Sequence, residues 1–178
     1  MNNKTLRLVT AAVCGAIYAA MTVLLAPISY GPVQLRLSEL LCILPYYMPC
    51  TAWGLFAGCL IANLLTGNVM DIVFGSLATL IAALLTALIG RRRRGMRSLI
   101  MSGIPPVLCN ALIIGWVLIK AYGGMDISHE PKAYALYACQ IALSEAAVIF
   151  AAAVPLMKGL ENKAFFREFT TKLNGGQP

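Results

Sequence analysis

Apolar residues run through this chain without interruption, from Leu8 to Pro27 and again from Ile72 to Gly90 without a single charge. That continuity decides the fold class. A bilayer core about 30 Å thick calls for about 20 such residues per helix. A helix also satisfies its own backbone hydrogen bonds where there is no water to do so. The short alternation of polar and apolar residues that marks a membrane barrel is missing. With 60% of residues hydrophobic and 12% charged, the chain has too little polar surface for a water-soluble domain of its length. The expectation is an all-α integral membrane protein forming a single domain over residues 1–178.

Prolines, glycines and charges divide the chain into six expected spans, at 7–26, 35–47, 51–65, 71–90, 98–122 and 133–157. Pro27 ends the first and Pro49 leads into the third. The Thr66-Gly67-Asn68 turn precedes the fourth, and Pro105-Pro106 kinks the fifth. The second and third are short for full crossings, which implies tilt, breakage or shielding from lipid. Lys4 and Arg7 before the first apolar run resemble a secretory signal, but the run is long and lacks a convincing cleavage site, so it reads as a retained helix. Residues 158–178 read as a short, solvated tail.

The basic residues set the orientation. With the N-terminus inside, Lys4, Arg7, Arg91 to Arg94, Arg97, Lys158, Lys163, Arg167 and Lys172 all face the cytoplasm. Only Arg36, Lys120 and Lys132 fall at or near the outer face. The expected location is the cell membrane, multi-pass, with both termini cytoplasmic. This asymmetry absorbs the net charge of +7 without invoking nucleic acid. Arg91 to Arg94 read as a topological stop that attracts lipid headgroups.

Polar side chains within the spans carry the functional expectation, because a charge at mid-membrane costs about 2.5–3.5 kcal/mol on insertion scales. The candidates are Arg36, Glu39, Asn63, Asp71, Asn110, Gln140, Ser144 and Glu145. Most fall in the outer half of the membrane, which suggests a cavity open to the outside. Structural readings stand beside this one. Arg36 and Glu39 can pair along one helix face, Asp71 can cap its helix, Asn63 can tie down a turn and Asn110 can bridge two helices. Glu145 resists such a reading, since a lone acid there needs a partner, a proton or a ligand. Tyr30, Trp116, Tyr122, Tyr134 and Tyr137 form an interfacial belt, with Trp116 placed to stack on a flat ring.

The first helix carries Ala12, Ala16 and Ala20 at every fourth residue, beside a parallel row of Ala11, Gly15 and Ala19. Small residues at this spacing allow close helix approach, either within the bundle or to a partner. Cys14, Cys42, Cys50, Cys59, Cys109 and Cys139 show no metal-ligand spacing and read as small buried hydrophobes. No nucleotide-binding loop is present, no metal or other cofactor is expected, and the lone histidine, His129, falls in an outer loop. An enzyme is not indicated.

Ser29 to Glu39 followed by Leu44-Pro45, Gly54 to Asn63, Asp71 to Leu80, Asn110 to Gly115 and Glu145 together resemble the QueT family. The resemblance covers roughly Leu8 to Leu156. It implies a six-transmembrane-helix bundle of the energy-coupling-factor S-component type, which binds a queuosine precursor from outside. The implied partners are a transmembrane T subunit and two ATPase subunits, engaged through the Ala12, Ala16 and Ala20 face. One departure is visible: Trp116-Val117 stands where a second acid is expected after Gly115. A 7-deazaguanine base has paired N–H donors for Glu39 or Glu145. It also has a carbonyl for Asn63, Asn110 or Gln140 and a π face for Trp116; Asp71 suits an aminomethyl cation. The alternatives are an S component for another small heterocycle and a self-sufficient carrier with Glu145 as proton-coupling acid, although the chain lacks evident internal repeats.

Overall fold

In the computed structural model, which describes residues 2–29, 35–65, 67–92, 94–120 and 130–175, every regular element is helical. Four helices are long and apolar enough to cross a membrane: α1 (Asn3–Leu24), α4 (Asp71–Arg92), α5 (Met96–Leu118) and α6 (Pro131–Glu161). Two shorter apolar helices, α2 (Leu37–Tyr46) and α3 (Thr51–Leu64), pack among them. A last helix, α7 (Ala164–Leu173), follows α6. The molecule is thus a multi-pass helical membrane protein whose large exposed side chains, such as Leu8, Val13, Leu84, Leu112 and Leu143, suit a lipid surface.

The tightest seam joins α1 to α3, the most extensive helix pair in the molecule. Gly15 lies against the backbone of Gly54, Gly54 against Ala11, and Gly58 against Gly15. In each case an added Cβ would collide with a main-chain carbonyl rather than with a movable side chain. In lipid no hydrophobic force drives helices together, so close backbone packing between small residues supplies the association. The row of Ala11 and Gly15 is therefore used inside the bundle, while Ala12, Ala16 and Ala20 are exposed on the other side of α1.

α2 is a 3₁₀ helix containing Pro45. Its rise of about 2.0 Å per residue carries ten residues about 20 Å, where an α-helix would cover about 15 Å. Ser38, Glu39 and the run from Cys42 to Tyr46 are buried. Protein surrounds this element, the one setting in which irregular backbone is tolerated at membrane depth. Near its end, Gly90 of α4 packs against the Tyr46 backbone as closely as the α1–α3 glycines pack.

Several expected boundaries shift. Pro27 sits within a single helical turn, Ala26–Ser29, after α1 has ended at Leu24. α5 breaks at Gly103, between Met96–Ser102 and Ile104–Leu118, so Pro105-Pro106 occupy the first turn of the new segment, where their missing N–H costs nothing. α4 opens with a π-helical turn, Asp71–Gly75, and α6 contains a second, Ala147–Ala153. Cys14, Cys42 and Cys59 are buried as expected, but Cys139 is exposed on α6.

The tail departs most from expectation. Instead of a solvated terminus, α7 is an amphipathic helix folded back on the bundle. Phe166 and Phe169 pack against the core, and Leu173 is 1% exposed. Arg7 donates through Nε to the Leu173 carbonyl at 2.7 Å, and Asn174 donates to the Tyr47 carbonyl at 3.0 Å. The spacing of Phe166, Phe169 and Leu173 is helical, but the basic residues between them mask that pattern in the sequence. The molecule's basic end gathers Arg7, Arg91, Arg92, Arg94 and this docked tail.

Replacing Gly54 by valine should lower stability by about 1–3 kcal/mol through overpacking against Ala11. The check is a reduced thermal or SDS-unfolding midpoint of the purified chain. Gly159→Ala, where an added Cβ meets open space, should leave the midpoint unchanged or slightly raised.

Candidate functional site

A set of polar side chains, two of them acids, lies enclosed among α1 to α6. Glu39, fully buried on α2, is its centre. Tyr18 of α1 donates its hydroxyl to Glu39 Oε1 at 2.5 Å, and the Cys42 thiol donates to Oε2 at 2.8 Å. Beside them Thr22 of α1 donates to Ser38 Oγ at 2.7 Å. The Tyr18–Glu39 and Thr22–Ser38 bonds hold α2 to α1 by side chains that a lipid environment would not otherwise favour.

The Glu39 carboxyl and that of Glu145 on α6 are near enough to act on each other electrostatically. A carboxylate has no donor of its own, so two such groups can be joined only through a proton or the N–H groups of another molecule. Asn110 of α5 donates through Nδ2 to Glu145 Oε1 at 3.1 Å, bridging α5 and α6. Its Oδ1 is buried and has no hydrogen-bond partner among the described residues, and the same holds for Ser76 Oγ on α4. Unpaired buried acceptors are uncommon in native structures.

Arg36 and Asn63 form the other half. Arg36 Nη2 donates to Asn63 Oδ1 at 2.6 Å, and Asn63 Nδ2 donates to the Asp71 carbonyl at 2.9 Å. Asn63 therefore ties the end of α3 to the start of α4. Its amide packs against Gly75, where an added Cβ would press directly on Nδ2. Cys59 Sγ accepts from both Asn63 and Thr79, at 3.4 and 3.3 Å. Arg36 also acts electrostatically on Asp71, Tyr18 and Glu145, which links the two halves.

Of the sequence candidates, Arg36, Glu39, Asn63, Asp71, Asn110 and Glu145 come together. Just before α4, Asn68 Oδ1 accepts from the Met70 N–H at 3.0 Å, and Asp71 lies within the electrostatic reach of Arg36 and of the Asn68 side chain. Trp116 packs edge-on against Phe74, ring centroids 5.0 Å apart, one residue before Gly75. Gln140 is half-buried on α6, and buried Ser144 donates to the Ile141 carbonyl. Glu39, Asn63, Asn110 and Glu145 are all buried. Tyr30 and the rest of 30–34, Thr66, Arg93, and 121–129 with Tyr122 and His129 lie outside the described residues.

Sequence reasoning missed Tyr18, Cys42, Cys59 and Thr79. Tyr18 and Cys42 lie inside apolar runs, and nothing local marks a cysteine as a hydrogen-bond partner rather than a small hydrophobe. The periodicity of α1 does carry one usable signal, since Tyr18 and Thr22 sit four apart on the face that also holds Gly15.

The QueT transporter family model matches residues 8–162. A curated relative, the queuosine precursor transporter QueT of Lactococcus lactis subsp. cremoris (strain MG1363), is 36% identical over 81 residues, covering 44% of this chain and 48% of that protein. The aligned region spans about half the length of that relative. No solved structure matches the chain. The family match runs through every long apolar helix and all the clustered polar residues, and on that extent the chain belongs to the QueT transporter family.

Proposed function

We propose that this chain is the substrate-binding S component of an energy-coupling-factor importer for a queuosine precursor. It would act as a six-span membrane subunit rather than an enzyme. The observation that carries the reading is the enclosed pairing of Glu39 and Glu145 beside Asn110, in a bundle with no other comparable reason to bury two acids. A 7-deazaguanine base has adjacent N–H donors that a carboxylate accepts as a pair, and a carbonyl that an amide N–H or guanidinium can meet. Asn110 Oδ1 and Ser76 Oγ offer further acceptors for such a base. Trp116, beside Phe74, would contact its flat face, and Asp71 would pair with an aminomethyl cation.

In this mechanism the base enters from the outer side and displaces the contacts that now close the cluster. Glu39, Glu145, Asn63, Asn110 and Arg36 exchange partners among themselves for partners on the base, to which Gln140 of α6 would add an amide. Asn110 Oδ1 and Ser76 Oγ have no partner among the described residues in the closed state, so a base that brings donors to them gains hydrogen bonds the closed cluster does not make. The exposed row of Ala12, Ala16 and Ala20 on α1 is the face offered to a T subunit, with two cytoplasmic ATPases supplying the energy. The basic end then faces the cytoplasm, as the positive-inside rule requires.

The neighbouring carboxyls also favour a second reading, a proton-coupled carrier that works alone. Uptake by the purified chain in vesicles, driven only by a pH gradient, would establish that reading and remove the need for ATPase partners.

Binding is testable on the isolated chain through Trp116 fluorescence in a Trp53→Phe background. A 7-deazaguanine base should give saturable binding that riboflavin, thiamine and biotin do not. Glu145→Gln should weaken it by about 10- to 100-fold, the range for losing a hydrogen bond to a charged group. No deazaguanine binding by a well-folded sample would sink the substrate assignment. Docking is tested separately: Ala16→Trp should abolish co-purification with ATPase subunits while leaving base binding intact. Retained co-purification would rule out this face.

A further inference from the structure

The basic end holds two cavities that share a wall. One, of about 610 Å³, is lined by Arg7, Arg91, Arg92 and Arg94 together with Trp53 and Asn174. The other, of about 580 Å³, lies across the same arginines and is lined by Arg92, Arg94 and Arg97 with Ile89, Met96 and Met101. Among the described residues neither lining contains an acidic one. Among the described residues none of Arg7, Arg91, Arg92 and Arg94 has a carboxylate partner, and Glu161 is taken by Lys158 at 2.8 Å.

A topological stop needs only positive charge at this end of the bundle, in any arrangement. The arrangement found is more specific. Arg94 is held over the rings of Tyr46 and Tyr47, 5.2 and 5.5 Å from their centroids, a cation–π geometry that fixes the guanidinium. Arg7 is anchored through Nε to the Leu173 carbonyl, which leaves its terminal nitrogens for another partner. Arg91 and Arg92 close the last turn of α4. The docking of α7 completes the wall through Leu173 and Asn174. Four guanidiniums converging on one cavity without a carboxylate form a site for an anion with several acceptor oxygens, and planar guanidinium forks match phosphate in particular.

We infer that these paired cavities bind a phosphate-bearing anion, with Arg92 and Arg94 between them as the principal contacts. The neighbouring cavity favours a lipid source. Its apolar lining includes Met96 and Met101, both exposed, beside the arginines, as an acyl chain next to a headgroup requires. Trp53, 61% exposed at the mouth of the first cavity, has the amphipathic ring suited to that depth. This site lies at the far end of the molecule from Glu39 and Glu145 and is independent of the substrate reading.

The test uses the full chain purified in neutral detergent, with lipid retention read by native mass spectrometry. Phosphatidylglycerol should be retained in preference to phosphatidylcholine. Arg92→Gln/Arg94→Gln should weaken retention by about thirtyfold, at about fivefold per near-surface arginine. Lys163→Gln/Arg167→Gln removes equal charge from the same end outside both cavities and should cost much less. A localising measurement guards against misfolded variants: in a Trp116→Phe background, brominated phosphatidylglycerol should quench Trp53 more than brominated phosphatidylcholine does. If inorganic phosphate or glycerol 3-phosphate binds instead, with the same dependence on Arg92 and Arg94, the site stands and its source is a soluble phosphate. Equal losses from the two double variants, or no anion preference in retention, quenching and phosphate binding alike, would overturn the inference.

Discussion

Glu39 is an acid with no exposed surface in a bundle built for lipid, and the arrangement of the surrounding helices follows from satisfying it. Its hydrogen-bond partners come from α1 through Tyr18 and from its own helix through Cys42, and the neighbouring carboxyl of Glu145 comes from α6. Each partner commits an element to a position. Tyr18 can reach Glu39 only because α1 lies close against the α2–α3 layer, and that closeness depends on Gly15, Gly54 and Gly58 having no side chains. The glycine seam and the polar cluster therefore support one another. The seam alone would leave a buried acid unmet, and the cluster alone lacks the packing that holds helices together without water.

The two short helices acquire their purpose from the same constraint. A 3₁₀ helix interrupted by proline is a poor membrane span, yet α2 is wrapped in protein along most of its length. Its unusual geometry brings Arg36 and Glu39 into the bundle at one end and carries Tyr46 and Tyr47 to the basic end at the other. There the two rings hold Arg94. One irregular element thus connects the buried cluster to the arginine-lined cavities, with the long helices forming the lipid-facing shell around it.

α1 divides its small residues between two tasks. Ala11 and Gly15 are consumed by α3, while Ala12, Ala16 and Ala20 remain on the outer surface, flanked by exposed Leu8, Val13 and Ile17. A flat alanine row within an apolar surface suits contact with another helix in the membrane, and this geometry underlies the proposed division between a binding subunit and separate energising partners.

The sequence by itself determined the membrane class, the long helices α1, α4, α5 and α6, and most of the polar residues that lie together inside the bundle. Those features depend on hydropathy, spacing and the cost of burying charge, all of which are local properties of the chain. Glu39, Asn63, Asn110 and Glu145 stood out because each is polar in an apolar run. Tertiary structure alone decided that Glu39 lies near Glu145, that Asp71 lies within the electrostatic reach of Arg36, that cysteines join the network, and that the tail docks as α7. Contacts between residues far apart in the chain depend on how closely helices approach, and that distance is set by glycines on facing surfaces whose pairing no single segment encodes.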